Sequence, residues 1–267
     1  MFVERFLEWA HQGLLQDEEA QAYLLGRGIS KDQWTRHSLG YVGGDFEVDS
    51  TKDPGHSDVC SDREKKHKWC DSCRYRNWSS TWEEMVEGGP RLQLVGRRIS
   101  GSIVFPLTTY SGTRIGWQIR SLKYKEYDTF ALSKRPEGYF FGCTSNVEAI
   151  WATREAFIVE GPGDHQLIER LVAPNVLGLT TSGLSKFQLR FLKRFVKRLW
   201  LCLDMDEAGR KGTRSIIQQH GDFFDIVDLR YPRVQEKDKD PGDYWRRVGD
   251  EAFARYFKRL ISQEISR

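Results

Sequence analysis

LWLCLDMDEAGRKG, residues 199–212, decides how this chain is read. Leu199 to Leu203 is an apolar run too short for a helix, and its length suits a strand buried on both faces. It stops abruptly at Asp204 and Asp206. Side chains two apart in extended chain share a face, so the spacing predicts both carboxylates on one side of the strand's end. The chain then turns through Ala208-Gly209 into Thr213 to His220, a segment with helical character. Open α/β sheets place their ligands at the carboxyl ends of strands. Two acids crowded there repel each other unless a cation sits between them. The plainer alternative is a strand-to-helix turn whose Asp caps the helix.

A second stretch repeats the pattern. Ala156 to Val159 is apolar and ends in Glu160, followed by Gly161-Pro162-Gly163-Asp164 and a helical pattern from Gln166 to Val172. Two successive strand–acid–turn–helix units imply parallel neighbours joined by a crossover, with their ends on one edge. Glu160, Asp164, Asp204 and Asp206 are therefore expected to converge. Hard oxygen ligands without His or Cys favour Mg²⁺ or Mn²⁺ over zinc. EGPGD (160–164), LCLDMDEAG (201–209) and KDPGD (239–243) together resemble the Toprim module of bacterial-type primases, topoisomerases and some nucleases. The resemblance implies a parallel sheet flanked by helices and adds Asp240 to the metal-side acids. Asp240 or Asp243 also fits a helix N-cap ahead of Tyr244.

Composition bounds the class. The 267 residues are 39% hydrophobic and 30% charged, with a net charge of +3 that by itself names no partner. Its distribution says more: from Arg91 to Lys134 eight Lys/Arg face only Glu126 and Asp128, which suits a phosphate-rich partner or a solvated basic face. No apolar segment approaches the ~20 residues that span a bilayer, and MFVERFLEWAHQ is no secretory signal. Five cysteines, three of them clustered, argue against a secreted disulfide framework, so a cytoplasmic location is expected. No G-x-x-x-x-G-K-[ST] loop is present to drive a motor.

Four regions follow from the patterning. Residues 1–42 read as helices, 43–90 as an insertion, 91–150 as a basic β-rich subdomain, and 151–267 as the acid-bearing α/β domain closed by C-terminal helices. The insertion carries His56-x3-Cys60 and Cys70-x2-Cys73, two close pairs with the spacing of a tetrahedral structural Zn²⁺ site. His67 can replace His56 as the fourth ligand. In the basic region Ser102 to Leu107 and Arg114 to Arg120 read as a hairpin across a Ser-Gly turn. Ser185 to Arg198 repeats Phe187, Phe191, Phe195 and Leu199 as a core stripe, with a basic side expected to face solvent.

The remaining text narrows the resemblance to primases. AQAYLLGRGISKDQWTRHSLGYV (20–42) is similar to the opening of the catalytic core of bacterial, DnaG-like DNA primases, and VFPL…SGTRIGWQIRSL (104–122) with KYKEYDTFALSKRPEGYFFG (123–142) continues it. The resemblance implies that Glu160, Asp204 and Asp206 are catalytic, and that Arg120, Lys123, Tyr124 and Lys134 hold template or nucleotide. It implies RNA primer synthesis from NTPs on single-stranded DNA, with a replicative helicase as a further partner. Such a core, without a helicase-binding domain, is expected in a bacterial or phage-infected cell. Ser102, where the family carries an arginine, and Gly242, where it carries an acid, depart from the pattern. A Toprim-type metal-dependent nuclease and a non-catalytic nucleic-acid-binding replication subunit remain as alternatives.

Overall fold

A computed structural model of the chain describes residues 2–44, 47–49, 85–86, 89–93, 100–123, 127–131, 140–180, 183–233, 235 and 238–266. These divide into two compact units. The first comprises residues 1–23, 34–107 and 114–136, the second 24–33, 108–113 and 137–267.

In the first unit, α1 (Phe2–Gln16) lies against β1 (Gly40–Val42). The approach is close enough that a Cβ on Gly13 would stand 2.7 Å from the Tyr41 carbonyl oxygen. Strands β1, β5 (Ser102–Thr108), β6 (Arg114–Ser121) and β7 (Tyr127–Ala131) form one sheet in that order, β1 and β7 pairing antiparallel with their neighbours. The expected hairpin is thus β5–β6, closed by Thr109 N–H donating to Thr113 at 3.0 Å. Phe6 of α1 sits 4.1 Å from Trp117 of β6, centroid to centroid, and both are buried. A small sheet of β2 (Glu47–Asp49), β4 (Gly89–Gln93) and β3 (Met85–Val86) completes the described part of this unit.

The second unit begins in α2 (Glu18–Gly26) and α3 (Lys31–Arg36), each of which it shares with the first. Its core is a four-stranded parallel sheet, order β11 (Asp225–Asp228), β10 (Arg198–Leu201), β8 (Glu155–Val159), β9 (Val176–Gly178). The short apolar runs lie in the middle of this sheet, where both faces must be apolar. One face is covered by α4 (Cys143–Thr153), α6 (Lys186–Phe195) and α7 (Glu207–His220), which bury Ile150, Leu192 and Ile216 with Ile158 and Leu201. The other is covered by α5 (Pro162–Leu171) and α8 (Pro241–Ile265), which bury Leu167, Phe253 and Phe257 with Val159 and Trp200. Helix α8 is broken at Gly249, whose φ of 74° is left-handed. This is the helix-flanked parallel sheet that the acid-ended strands predict.

Several boundaries differ from the sequence reading. Strand β10 ends at Leu201, so Asp204 and Asp206 stand in a loop rather than at successive same-face positions of a strand. Helix α7 starts at Glu207, six residues before the expected Thr213, because Asp206 caps it by accepting from Gly209 N–H at 3.0 Å. On α6 the buried side is Gln188, Phe191 and Leu192, while Phe187 and Phe195 are only half-buried at its margins. A four-residue repeat drifts round the helix and cannot keep one face covered along its length.

Candidate metal and nucleotide site

Three stretches at the carboxyl edge of the parallel sheet carry the acids. Glu160 follows β8, Asp164 lies in the first turn of α5, Asp204 and Asp206 follow β10, and Asp240 caps α8. Glu160, Asp164, Asp206 and Asp240 each accept from a backbone amide. Asp204 N–H donates to Glu160 Oε1 at 3.3 Å, which ties the ends of β8 and β10 together. Gly242 N–H donates to Asp164 Oδ1 at 3.3 Å, tying α8 to α5. Asp240 Oδ1 accepts from Asp243 N–H at 2.6 Å, and Asp243 Oδ2 accepts from Lys239 N–H at 2.9 Å. Asp240 and Asp243 therefore share the cap, as the two halves of one capping box.

Two hydrogen bonds onto the Lys239 carbonyl hold the Asp204 and Asp240 loops in register. Met205 N–H donates to the Lys239 carbonyl at 2.6 Å, and the Tyr231 hydroxyl donates to the same carbonyl at 2.7 Å. Gly209 is required where it stands: a Cβ there would collide with the Asp204 carbonyl oxygen and lie 2.7 Å from Glu160 Oε1.

Proximity shows in the electrostatics. Burial, then Glu160 and Asp240, push the Asp204 carboxyl up to about 8. Burial and then Asp240 and Asp204 raise Asp164 well above the ordinary carboxylate range. Burial and, more weakly, Asp206 raise Glu160. These groups feel one another as uncompensated negative charge. Two cations offset part of it. Lys239 Nζ is 3.8 Å from Asp206 Oδ2 and lowers Asp204 and Glu160, and Arg27 lowers Asp164. The Cys202 thiol is buried here and raised well above its usual value, so it stays protonated and is no nucleophile.

The donor set is all carboxylate oxygen and only partly neutralised, the donor chemistry of a hard divalent cation such as Mg²⁺ or Mn²⁺, and no three of these carboxylates stand within 4.8 Å of one another. Glu160, Asp164, Asp204, Asp206 and Asp240 are the residues that would hold it.

The other expected site residues lie in the first unit or outside the described residues. Arg120 is the penultimate residue of β6, opposite Tyr127 and half-buried, and Lys123 is exposed in the turn that follows; both belong to the first unit. Tyr124 and Lys134 lie outside the described residues, as do His56, Cys60, Cys70, Cys73 and the alternative ligand His67. Arg27, Lys239 and Tyr231 were given no role by the sequence reading, and Gly209 only that of a turn. The signal for Lys239 was its place beside Asp240. Nothing in the sequence points Tyr231 at the acid loops, because its partners are backbone carbonyls.

Known proteins share the fold of this chain. The model of Toprim-like domains matches residues 157–245. The DNA primase of Clostridium acetobutylicum is 26% identical, over 94% of this chain and 39% of its own length. The chain thus spans about two fifths of that relative. The zinc-binding and RNA polymerase domains of Aquifex aeolicus primase superpose with a TM-score of 0.68 at 21% identity, covering 96% of this chain and 59% of that one. The DnaG primase catalytic domain bound to ssDNA gives 0.66 at 17% identity, covering 96% and 79%. Residues 157–245 match Toprim-like domains, in a chain that has the fold of DnaG-type primase catalytic cores.

Proposed function

We propose that this chain is the catalytic core of a DNA primase, a nucleotidyltransferase that builds short RNA primers from NTPs on single-stranded DNA. One observation carries the reading: at a single sheet edge, burial and the negative charge of neighbouring acids from three separate stretches raise the proton affinity of Glu160, Asp164 and Asp204. A cluster that unfavourable is retained where a divalent ion is to be bound. The named primase relative and the fold support it.

Primer synthesis joins a 3′-hydroxyl to the α-phosphate of an incoming NTP and releases pyrophosphate. A bound divalent ion would supply charge neutralisation at the phosphate and a lower pKa for the hydroxyl. The protein's own part is positioning. Glu160, Asp204 and Asp206 form the catalytic acid set, with Asp164 and Asp240 completing the metal side. Glu160 is the candidate acceptor of the hydroxyl proton, a role it would hold beside metal anchoring. Lys239, on the rim of the cluster, can meet the triphosphate as a point charge. Arg120, Lys123, Tyr124 and Lys134 are assigned to template and nucleotide. His56 or His67 with Cys60, Cys70 and Cys73 is assigned a structural Zn²⁺. A replicative helicase and a cytoplasmic setting belong to the same reading.

The test is de novo synthesis on single-stranded DNA with labelled NTPs, run with Mg²⁺ and with Mn²⁺. Labelled primers should form only with metal, and Asp204→Ala should cut their yield at least ~100-fold while circular dichroism stays unchanged. Metal-dependent cleavage of the template without NTPs, and no primers, would replace this reading with that of a Toprim nuclease.

A further inference from the structure

The acid edge leaves one surface of the second unit unexplained, the helical layer of α4, α6 and α7. Helix α6 reads KFQLRFLKRF and contains four cations and no acid. Lys186, Arg190, Lys193, Arg194 and the following Lys197 are all exposed. Taken alone this is an ordinary solvated basic face. Its aromatic rings are not ordinary. Tyr110 is 43% exposed, Trp151 47% and Phe223 60%.

These rings are interleaved with the cations. Tyr110 stands 5.8 Å from Phe191 and 6.2 Å from Phe195, and Trp151 stands 5.6 Å from Phe195, so α6 has an open ring on each flank of its aromatic pair. Lys193 Nζ sits 3.2 Å over the Phe223 ring, and the Arg194 guanidinium lies 5.2 Å from the Phe195 centroid. Helix α7 adds exposed Arg210, Lys211 and Arg214 on the stretch that starts at Asp206. The exposed acids on these helices are few: Glu148 on α4 and Glu207 on α7, with Asp222 just beyond it.

Cations alone would suit water, and rings alone would suit an apolar partner. Exposed rings set among cations match a strand that offers phosphates and unpaired bases together. We infer that the α4–α6–α7 face is a track for single-stranded nucleic acid, extending from the acid edge along α7 and across α6. The inference deepens the proposed function by naming where a strand runs, and rests on that reading only for what the strand is used for.

Binding without NTPs or metal tests it on the full chain. Fluorescein-labelled oligo-dT and oligo-rU are titrated at low and moderate salt against wild type, Arg190→Ala/Arg194→Ala, Arg210→Ala/Arg214→Ala, Tyr110→Ala and Trp151→Ala. The arginine pairs should weaken binding and flatten the dependence of log affinity on log salt by about 0.7 for each phosphate contact removed. Each aromatic variant should weaken binding about tenfold with the salt slope unchanged. Asp204→Asn should bind as wild type does, so a chain inactive in synthesis still reports on the track. Hydrogen exchange on the wild-type protein should show oligonucleotide-dependent protection of α6 and α7. Tighter binding of one oligonucleotide identifies the strand as DNA or RNA, and equal binding marks a track open to both. Unchanged affinity in all four variants overturns the inference. So does polyglutamate competing as well as the oligonucleotides, which would make the face a site for an acidic protein.

Discussion

Asp204 and Asp206 are two residues apart and do different work. Asp206 spends one oxygen on the Gly209 amide and faces Lys239, so much of its charge is answered by the protein. Asp204 is more buried in negative surroundings, and its carboxyl is pushed up to about 8 by burial, Glu160 and Asp240. Removing that charge should therefore help the metal-free fold. Asp204→Asn is expected to raise the melting temperature of EDTA-treated protein by about 2–4 °C, the equivalent of ~1 kcal/mol, and to abolish the further rise on adding Mn²⁺. Scanning fluorimetry with and without Mn²⁺ checks both, and an unchanged Mn²⁺ response would contradict the ligand assignment. Gly209 makes the complementary case. Gly209→Ala drives a methyl into the Asp204 carbonyl and the Glu160 carboxylate and should cost about 1–3 kcal/mol in urea denaturation. Gly163→Ala, with open space around it, should not.

Among helices and strands, the apolar runs were readable because a central parallel strand needs little else than a short hydrophobic segment between turns. Helix starts were less readable. The onset of α7 depends on Asp206 turning its side chain back on Gly209, and the same residue reads equally well as a strand-end ligand. Helix α6 opens with a full capping box: Ser185 Oγ accepts from Gln188 N–H at 3.1 Å, and Gln188 Oε1 accepts from Ser185 N–H at 2.9 Å. Ser185→Ala should cost about 1 kcal/mol in urea denaturation. Between elements, Tyr231 links the β10 loop to the α8 cap through the Lys239 carbonyl. Tyr231→Phe removes one buried hydrogen bond and should cost about 1 kcal/mol. It should also loosen Asp240 relative to Asp204, visible as a weaker Mn²⁺-induced shift in melting temperature than in wild type.

Taken together, the charges give the protein opposite responses at the two ends of the pH scale. Arg170 donates to both oxygens of Asp250, at 2.6 and 2.9 Å, and Trp245 Nε1 donates to one of them at 2.7 Å. These bonds hold the Asp250 carboxyl below its ordinary value. The stability it contributes is present above the unfolded value near 3.8 and is lost as pH falls through the lower folded one. Asp204 works the other way. Its unfolded form loses its proton near 3.8 while the folded form keeps it to about 8, so stability declines as pH rises across that interval. Metal-free protein should therefore melt higher at about pH 5 than at pH 8. Mn²⁺ at the higher pH should restore the loss, and melting curves at the two pH values with and without the ion check it. Asp204→Asn should flatten the difference.

The amino-acid sequence alone determined the parallel sheet and the acids at its carboxyl edge, because strand length, apolar character and the turn residues that follow are local properties. Only the tertiary structure decided which groups answer those acids. Arg27 reaches Asp164 and Lys239 reaches Asp206 from distant parts of the sequence, the Tyr231 hydroxyl joins the Leu203 and Lys239 carbonyls, and Gly209 is required by the Glu160 carboxylate it meets only after folding. Charge, contact and burial between distant residues are set by how elements pack, and no periodicity along the chain encodes them.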